Sequence, residues 1–166
     1  MLDIRGKSFI ASLECEIFED YRPVVYDNND RTAGGGWLVW DFPAGHTLEL
    51  RFDYLEHTCD RIHYRVSGAP SAGYYAGAKI GASLNGFLGL YNIASVTDFW
   101  KVEVLSSDEQ ANSFDFYWRD SQGKRVCVYH YLRTSSFSSP SPASLNFLTT
   151  LQGTVGIFRA TIKAFV

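Results

Sequence analysis

Residues 37–68 read WLVWDFPAGHTLELRFDYLEHTCDRIHYRVSG, and they decide the fold class. Leu48, Leu50, Phe52 and Tyr54 alternate with Thr47, Glu49, Arg51 and Asp53, and a period of two is the mark of a half-buried strand. The preceding run, Trp37 to Phe42, is aromatic and β-branched, and Pro43-Ala44-Gly45 supplies turn residues after it, so the two runs are expected to form a hairpin. Beyond Cys59, Ile62, Tyr64 and Val66 alternate with Arg61, His63 and Arg65. Three consecutive strands of one pattern point to an all-β protein.

Outward from this stretch the same period recurs. Leu13, Cys15 and Ile17 alternate with Ser12, Glu14 and Glu16; Trp100, Val102 and Val104 with Lys101 and Glu103; Phe114, Phe116 and Trp118 with Asp115, Tyr117 and Arg119. After Asp120-Ser121-Gln122-Gly123 the run Val126 to Leu132 alternates again, which reads as a second hairpin with aromatic residues on both faces. Near the C-terminus Phe158, Ala160 and Ile162 alternate with Ile157, Arg159 and Thr161. The segments 20–36, 69–94 and 134–144 read as loops, the first for its Asp27-Asn28-Asn29-Asp30 and triple glycine, the last for its Ser/Pro content. One short strand is expected within 87–93. No capped helix of three turns is present, so eight to ten strands in an antiparallel β-sandwich of jelly-roll type are expected. The expected core is Leu48, Leu50, Phe52, Val102, Val104, Phe114, Phe116 and Ile162.

The chain has 166 residues, enough for one domain (1–166) that buries about 70% of its unfolded surface. A net charge of −3 and 16% aromatic content give no electrostatic drive toward nucleic acid. No apolar run reaches the ~18 residues of a membrane helix. The N-terminal residues carry acids within their apolar run and do not read as a signal peptide, so a cytosolic origin, a mature form and an excised fragment all fit. Cys15, Cys59 and Cys127 are too widely spaced for a disulfide framework or a paired-cysteine zinc site.

His57, Cys59, Asp60 and His63 fall within seven residues. If the chain is an enzyme, Cys59 is its candidate nucleophile and His57 or His63 its base, because a thiol attacks as the thiolate; the alternative is a buried structural cysteine. Asp27 to Asp30 offers oxygen ligands but no bidentate acid at calcium spacing, so a solvated turn is the simpler reading. The glycines of 69–94 have no Lys-Ser or Lys-Thr after them, and a phosphate loop is not expected. Loops carried on a rigid sandwich are where binding resides. Tyr74 and Tyr75, set among small residues, are the leading ligand contacts, with Asp27 and Asp30 as hydrogen-bonding partners; the alternative is that the tyrosines plug the end of the sandwich.

The runs Trp37-Leu38-Val39, Pro43 to Phe52, Leu55-Glu56 with Cys59, and Gly156 to Ile162 together resemble a divergent CUB domain, although only Cys59 falls on a family cysteine position. The resemblance implies a jelly roll and an extracellular binding role; some members of the family bind calcium, and Glu56, Asp60 and Asp108 are nearest to the ligands those members use. Otherwise no cofactor is expected. The leading expectation is a non-enzymatic binding module for a glycan or a protein surface. A Cys59-centred enzyme and a homo-oligomer subunit stand beside it.

Overall fold

The computed structural model describes residues 2–27, 36–41, 48–92, 95–133 and 143–166, with the side chains of 131–133 and 143–145 excepted. The expected turn at Pro43-Ala44-Gly45, His46, Asp30 and most of the Ser/Pro segment lie outside them. Within them the chain is all-β and antiparallel, as its alternation predicts. The thirteen strands are β1 (Phe9–Ile17), β2 (Asp20–Tyr26), β3 (Leu38–Trp40), β4 (Glu49–His57), β5 (Ile62–Gly68), β6 (Lys79–Ala82) and β7 (Leu88–Tyr91), then β8 (Trp100–Asp108), β9 (Ser113–Arg119), β10 (Cys127–Arg133), β11 (Ala143–Thr149), β12 (Thr154–Val155) and β13 (Ile157–Phe165). The helical element among the described residues is a 3-10 turn, Pro70–Tyr75.

Six strands pair in a closed circuit. β1 pairs with β13, β13 with β9, β9 with β8, β8 with β5, β5 with β4, and β4 with the first half of β1. Each of these six strands therefore has a partner on both sides. Bends at the corners come from bulges: the β4/β5 register shifts between Tyr54 and Glu56, and the β8/β9 register between Val104 and Ser106. Leu55 and Leu105 are the extra residues, and this is why two leucines are left exposed within strands. The interior is aromatic. Phe9 stacks on Phe52 at 4.8 Å and meets Tyr64 and Phe114 edge-on, while Trp118 sits against Trp100 and Phe158. Two buried polar ends find partners, Tyr64 Oη donating to Ile4 O and Trp100 Nε1 to Ile80 O, whereas the buried Trp118 Nε1 has none.

From the second half of β1 a further set of strands runs β2, β3, β11, β10, β12. Its inward side chains, Val24, Leu38, Trp40, Val128 and Leu148, join the same core as the circuit, so the two layers form one sandwich-like body. Its other face carries a row in register across four strands, Val25, Val39, Phe147 and Tyr129. The rings of Trp37 and Phe87 cover that row, Phe87 stacking on Phe147 at 4.6 Å. A sheet apolar on both faces therefore has both faces occupied.

Four expectations are corrected here. Residues 20–26 form β2 rather than a loop, because the Phe18-Glu19 turn returns the chain against β1. β3 and β4 are no hairpin: β3 pairs with β2 and β11. Nor is 114–132 a hairpin; beyond the Arg119–Arg125 bridge β9 stays in the circuit and β10 crosses to the second layer. The run 79–91, expected to hold one strand, forms the β6–β7 pair. Of the expected core, seven residues are buried, while Val104 packs against the core half-buried beside its bulge.

Candidate functional site

The 3-10 turn that follows β5 separates two adjacent tyrosines. Gly73 adopts φ 62 and ψ −118, a conformation that a side chain resists. After this break Tyr74 turns outward and Tyr75 inward, 83% and 6% exposed. Tyr75 fills a cradle made by two glycines. A Cβ on Gly36 would lie 2.6 Å from Tyr75 Cε1, and one on Gly68 would lie 2.0 Å from Tyr75 O. The Tyr75 ring meets Tyr26 edge-on at 4.9 Å and Tyr74 at 5.1 Å, so an aromatic ladder runs from core to solvent and ends on the exposed ring. Main-chain bonds fix the turn, with Ala69 N donating to Glu49 O and Gly77 N to Gly68 O. Ser71 Oγ donates to Glu49 Oε1 at 2.7 Å and brings a carboxylate to the same end of the molecule.

Of the expected ligand contacts among the described residues, Tyr74, Tyr75 and Asp27, Tyr74 is thus the one presented to solvent. Tyr75 is the plug and supports its neighbour. Asp27 is buried, its amide donating to Trp37 O, and it directly follows the Tyr26 that packs on Tyr75. The glycine cradle escaped the sequence reading. Gly68 closing a clean alternating strand was the available signal, since strand interiors rarely end on glycine without a close approach.

The β4–β5 end holds the Cys/His group. Cys59 is exposed, and Asp60 Oδ1 lies 3.9 Å from its Sγ. His57 Nδ1 and Tyr54 Oη share a 2.6 Å hydrogen bond. The buried His63 donates from Nδ1 to Glu56 Oε1 at 3.0 Å and packs on Phe99. Each Nδ1 is therefore engaged with a group other than the thiol. Glu56, Asp60 and Asp108 do not converge: Glu56 holds His63, Asp60 accepts from Thr58 Oγ1, and Asp108 Oδ1 accepts the Gln110 and Ala111 amides of the β8–β9 turn. Among the described residues no three His, Cys, Asp or Glu side chains group as a metal site would require, and no helix is long and apolar enough to cross a membrane.

No protein-family model matches the chain, and no curated protein sequence matches it.

Proposed function

We propose that this protein is a non-enzymatic binding module that recognises a glycan or a protein surface through the 3-10 turn after β5, with Tyr74 as the principal contact. One observation carries the reading: an 83% exposed tyrosine stands on a turn whose other tyrosine is locked in the core. A large flat side chain with two side-chain torsions costs little entropy to immobilise on binding, and its ring stacks on a sugar face or fills a partner's pocket. Glu49 and Ser71 beside it offer an acceptor and a hydroxyl to the hydroxyls of a sugar. The resemblance to CUB domains supports a binding role of the same kind.

Screening the labelled protein on a glycan array tests the reading, with Tyr74→Ala as the paired variant. Tyr74→Ala is expected to weaken binding by about 2 kcal/mol and to leave the melting temperature unchanged. Equal affinity of the two proteins for an array ligand removes this turn from consideration. Tyr75 is unsuitable as a variant here because its truncation opens a cavity in the core.

A further inference from the structure

Two turns meet at one tip of the molecule, and each puts a leucine into solvent. Leu84, on the β6–β7 turn, is fully exposed, and Leu151, on the turn from β11 to β12, is 62% exposed. The turns are in contact, since a Cβ on Gly86 would collide with the Leu151 side chain. At full exposure Leu84 adds no packing to the fold, and apolar surface left in water is a cost. Hydrogen bonds within the turns hold their shape. Ser83 N donates to Phe87 O at 2.8 Å, Gly86 N to Ser83 O at 2.8 Å and Phe87 N to Ser83 Oγ at 3.2 Å, while Leu151 N donates to Thr149 Oγ1 at 3.2 Å.

Behind the tip stands a shelf of aromatic rings. Phe87, which follows the first turn, meets the half-buried Trp37 edge-on at 5.7 Å, and the half-buried Tyr129 packs on the same group. Gly153, in the second turn, lies against Tyr129, for a Cβ there would stand 3.2 Å from Tyr129 Cα. The tip itself is uncharged. Ser83-Leu84-Asn85-Gly86 and Thr150-Leu151-Gln152-Gly153 hold no ionisable side chain, and no Asp or Glu occurs in 61–97 or 121–166, the segments that supply the two turns. Among the described residues, the carboxylates that approach these elements are set back from the leucines. Asp98 packs over Gly81 on β6, with the exposed Lys79 on the same face of that strand, and Asp27 beside Trp37 is buried.

We propose that this tip rests on a phospholipid bilayer without spanning it, Leu84 and Leu151 entering the interface and Trp37 and Tyr129 standing behind them at headgroup level. The tip meets three demands of that solvent. Charged side chains are costly to bring into it, and these turns have none. Main-chain polar groups need partners within the protein, and the first turn bonds its own amides. Rings with one apolar and one polar edge settle at the boundary, as tryptophan and tyrosine do. Charges around a contact fix the register of a protein partner, and neither turn offers one. Two leucines carry fewer apolar carbons than a single myristoyl chain, so the attachment is weak and reversible. The Tyr74 turn takes no part in this contact, which stands apart from the recognition proposed above.

Co-sedimentation of the full chain with phosphatidylcholine vesicles at millimolar lipid tests it. The wild-type chain is expected to pellet in a fraction that rises with lipid and that high salt does not release, because no charge takes part. Leu84→Asp is expected to weaken partitioning about tenfold or more while melting at the wild-type temperature, since the side chain it replaces is fully exposed. Leu151→Asp should act in the same direction, and Leu84→Met should retain binding. Three results would overturn the proposal. One is a wild-type chain that stays in the supernatant, whether alone or joined to a second copy at this tip. Another is partitioning indifferent to Leu84→Asp. The third is binding that needs phosphatidylserine and is abolished by salt, which would move the contact to a basic face.

Discussion

Gly68→Ala probes the cradle that orients the two tyrosines. An added Cβ would stand 2.0 Å from Tyr75 O and 2.9 Å from Tyr75 C, whereas ordinary contact begins at 3.4 Å. The obstructing atoms are main chain, so no rotamer change relieves the clash and the 3-10 turn itself must withdraw. Overpacking of this kind costs about 1–3 kcal/mol. Withdrawal also stretches the Gly77 N to Gly68 O and Ala78 N to Tyr75 O bonds, 2.8 and 3.0 Å, each worth about 1 kcal/mol. A loss of about 3–5 kcal/mol follows, which for a chain of this size lowers the melting temperature by about 10 °C or more. Gly36→Ala is the informative contrast, because there the nearest obstacle is the Tyr75 ring at 2.6 Å. Adding Tyr75→Leu should recover part of the loss from Gly36→Ala, with a coupling of about 1 kcal/mol or more in a double-mutant cycle, and recover nothing from Gly68→Ala. Thermal melts of the five variants and wild type decide the matter. If Gly68→Ala melts within about 2 °C of wild type, or Tyr75→Leu rescues it, the placement of Tyr75 against Gly68 is wrong.

Two further outcomes concern the fold as a whole. Phe52→Ala, which empties a fully buried site stacked on Phe9, is expected to cost about 3–5 kcal/mol in denaturant unfolding; an unchanged midpoint would contradict the β4 register. Stability should also fall at alkaline pH. Burial first, and then neighbouring Glu16, pushes the Cys15 thiol above its ordinary 9.0, and burial raises the Tyr64 phenol above 10.0. Both groups are neutral when protonated, so their contribution is complete below those ordinary values. It is lost as the unfolded chain ionises above pH 9 and 10, by up to about 1.4 kcal/mol per pH unit for each group. A denaturation midpoint flat from neutral pH through pH 11 would refute this.

Much of the strand content was legible because alternation is a local property: the face on which Phe52, Phe116 or Ile162 lies depends only on its neighbours in sequence. Pairing partners are not local. The same period serves a hairpin and a strand shared between distant elements, so the sequence alone could not reveal that β10 leaves β9 or that six strands close on themselves. Strands too short or too rich in glycine to show a period, such as β6, were invisible for the same reason, and β2 was hidden behind its turn residues. The candidate site divides likewise. An aromatic pair in a small-residue loop marked the turn, and its chemistry followed from the tyrosine side chain. Which ring faces solvent was decided by Gly73's backbone and by the space that Gly36 and Gly68, 32 positions apart in the chain, leave around Tyr75. Burial is a sum over neighbours brought together by the whole fold, and only the tertiary structure supplies those neighbours.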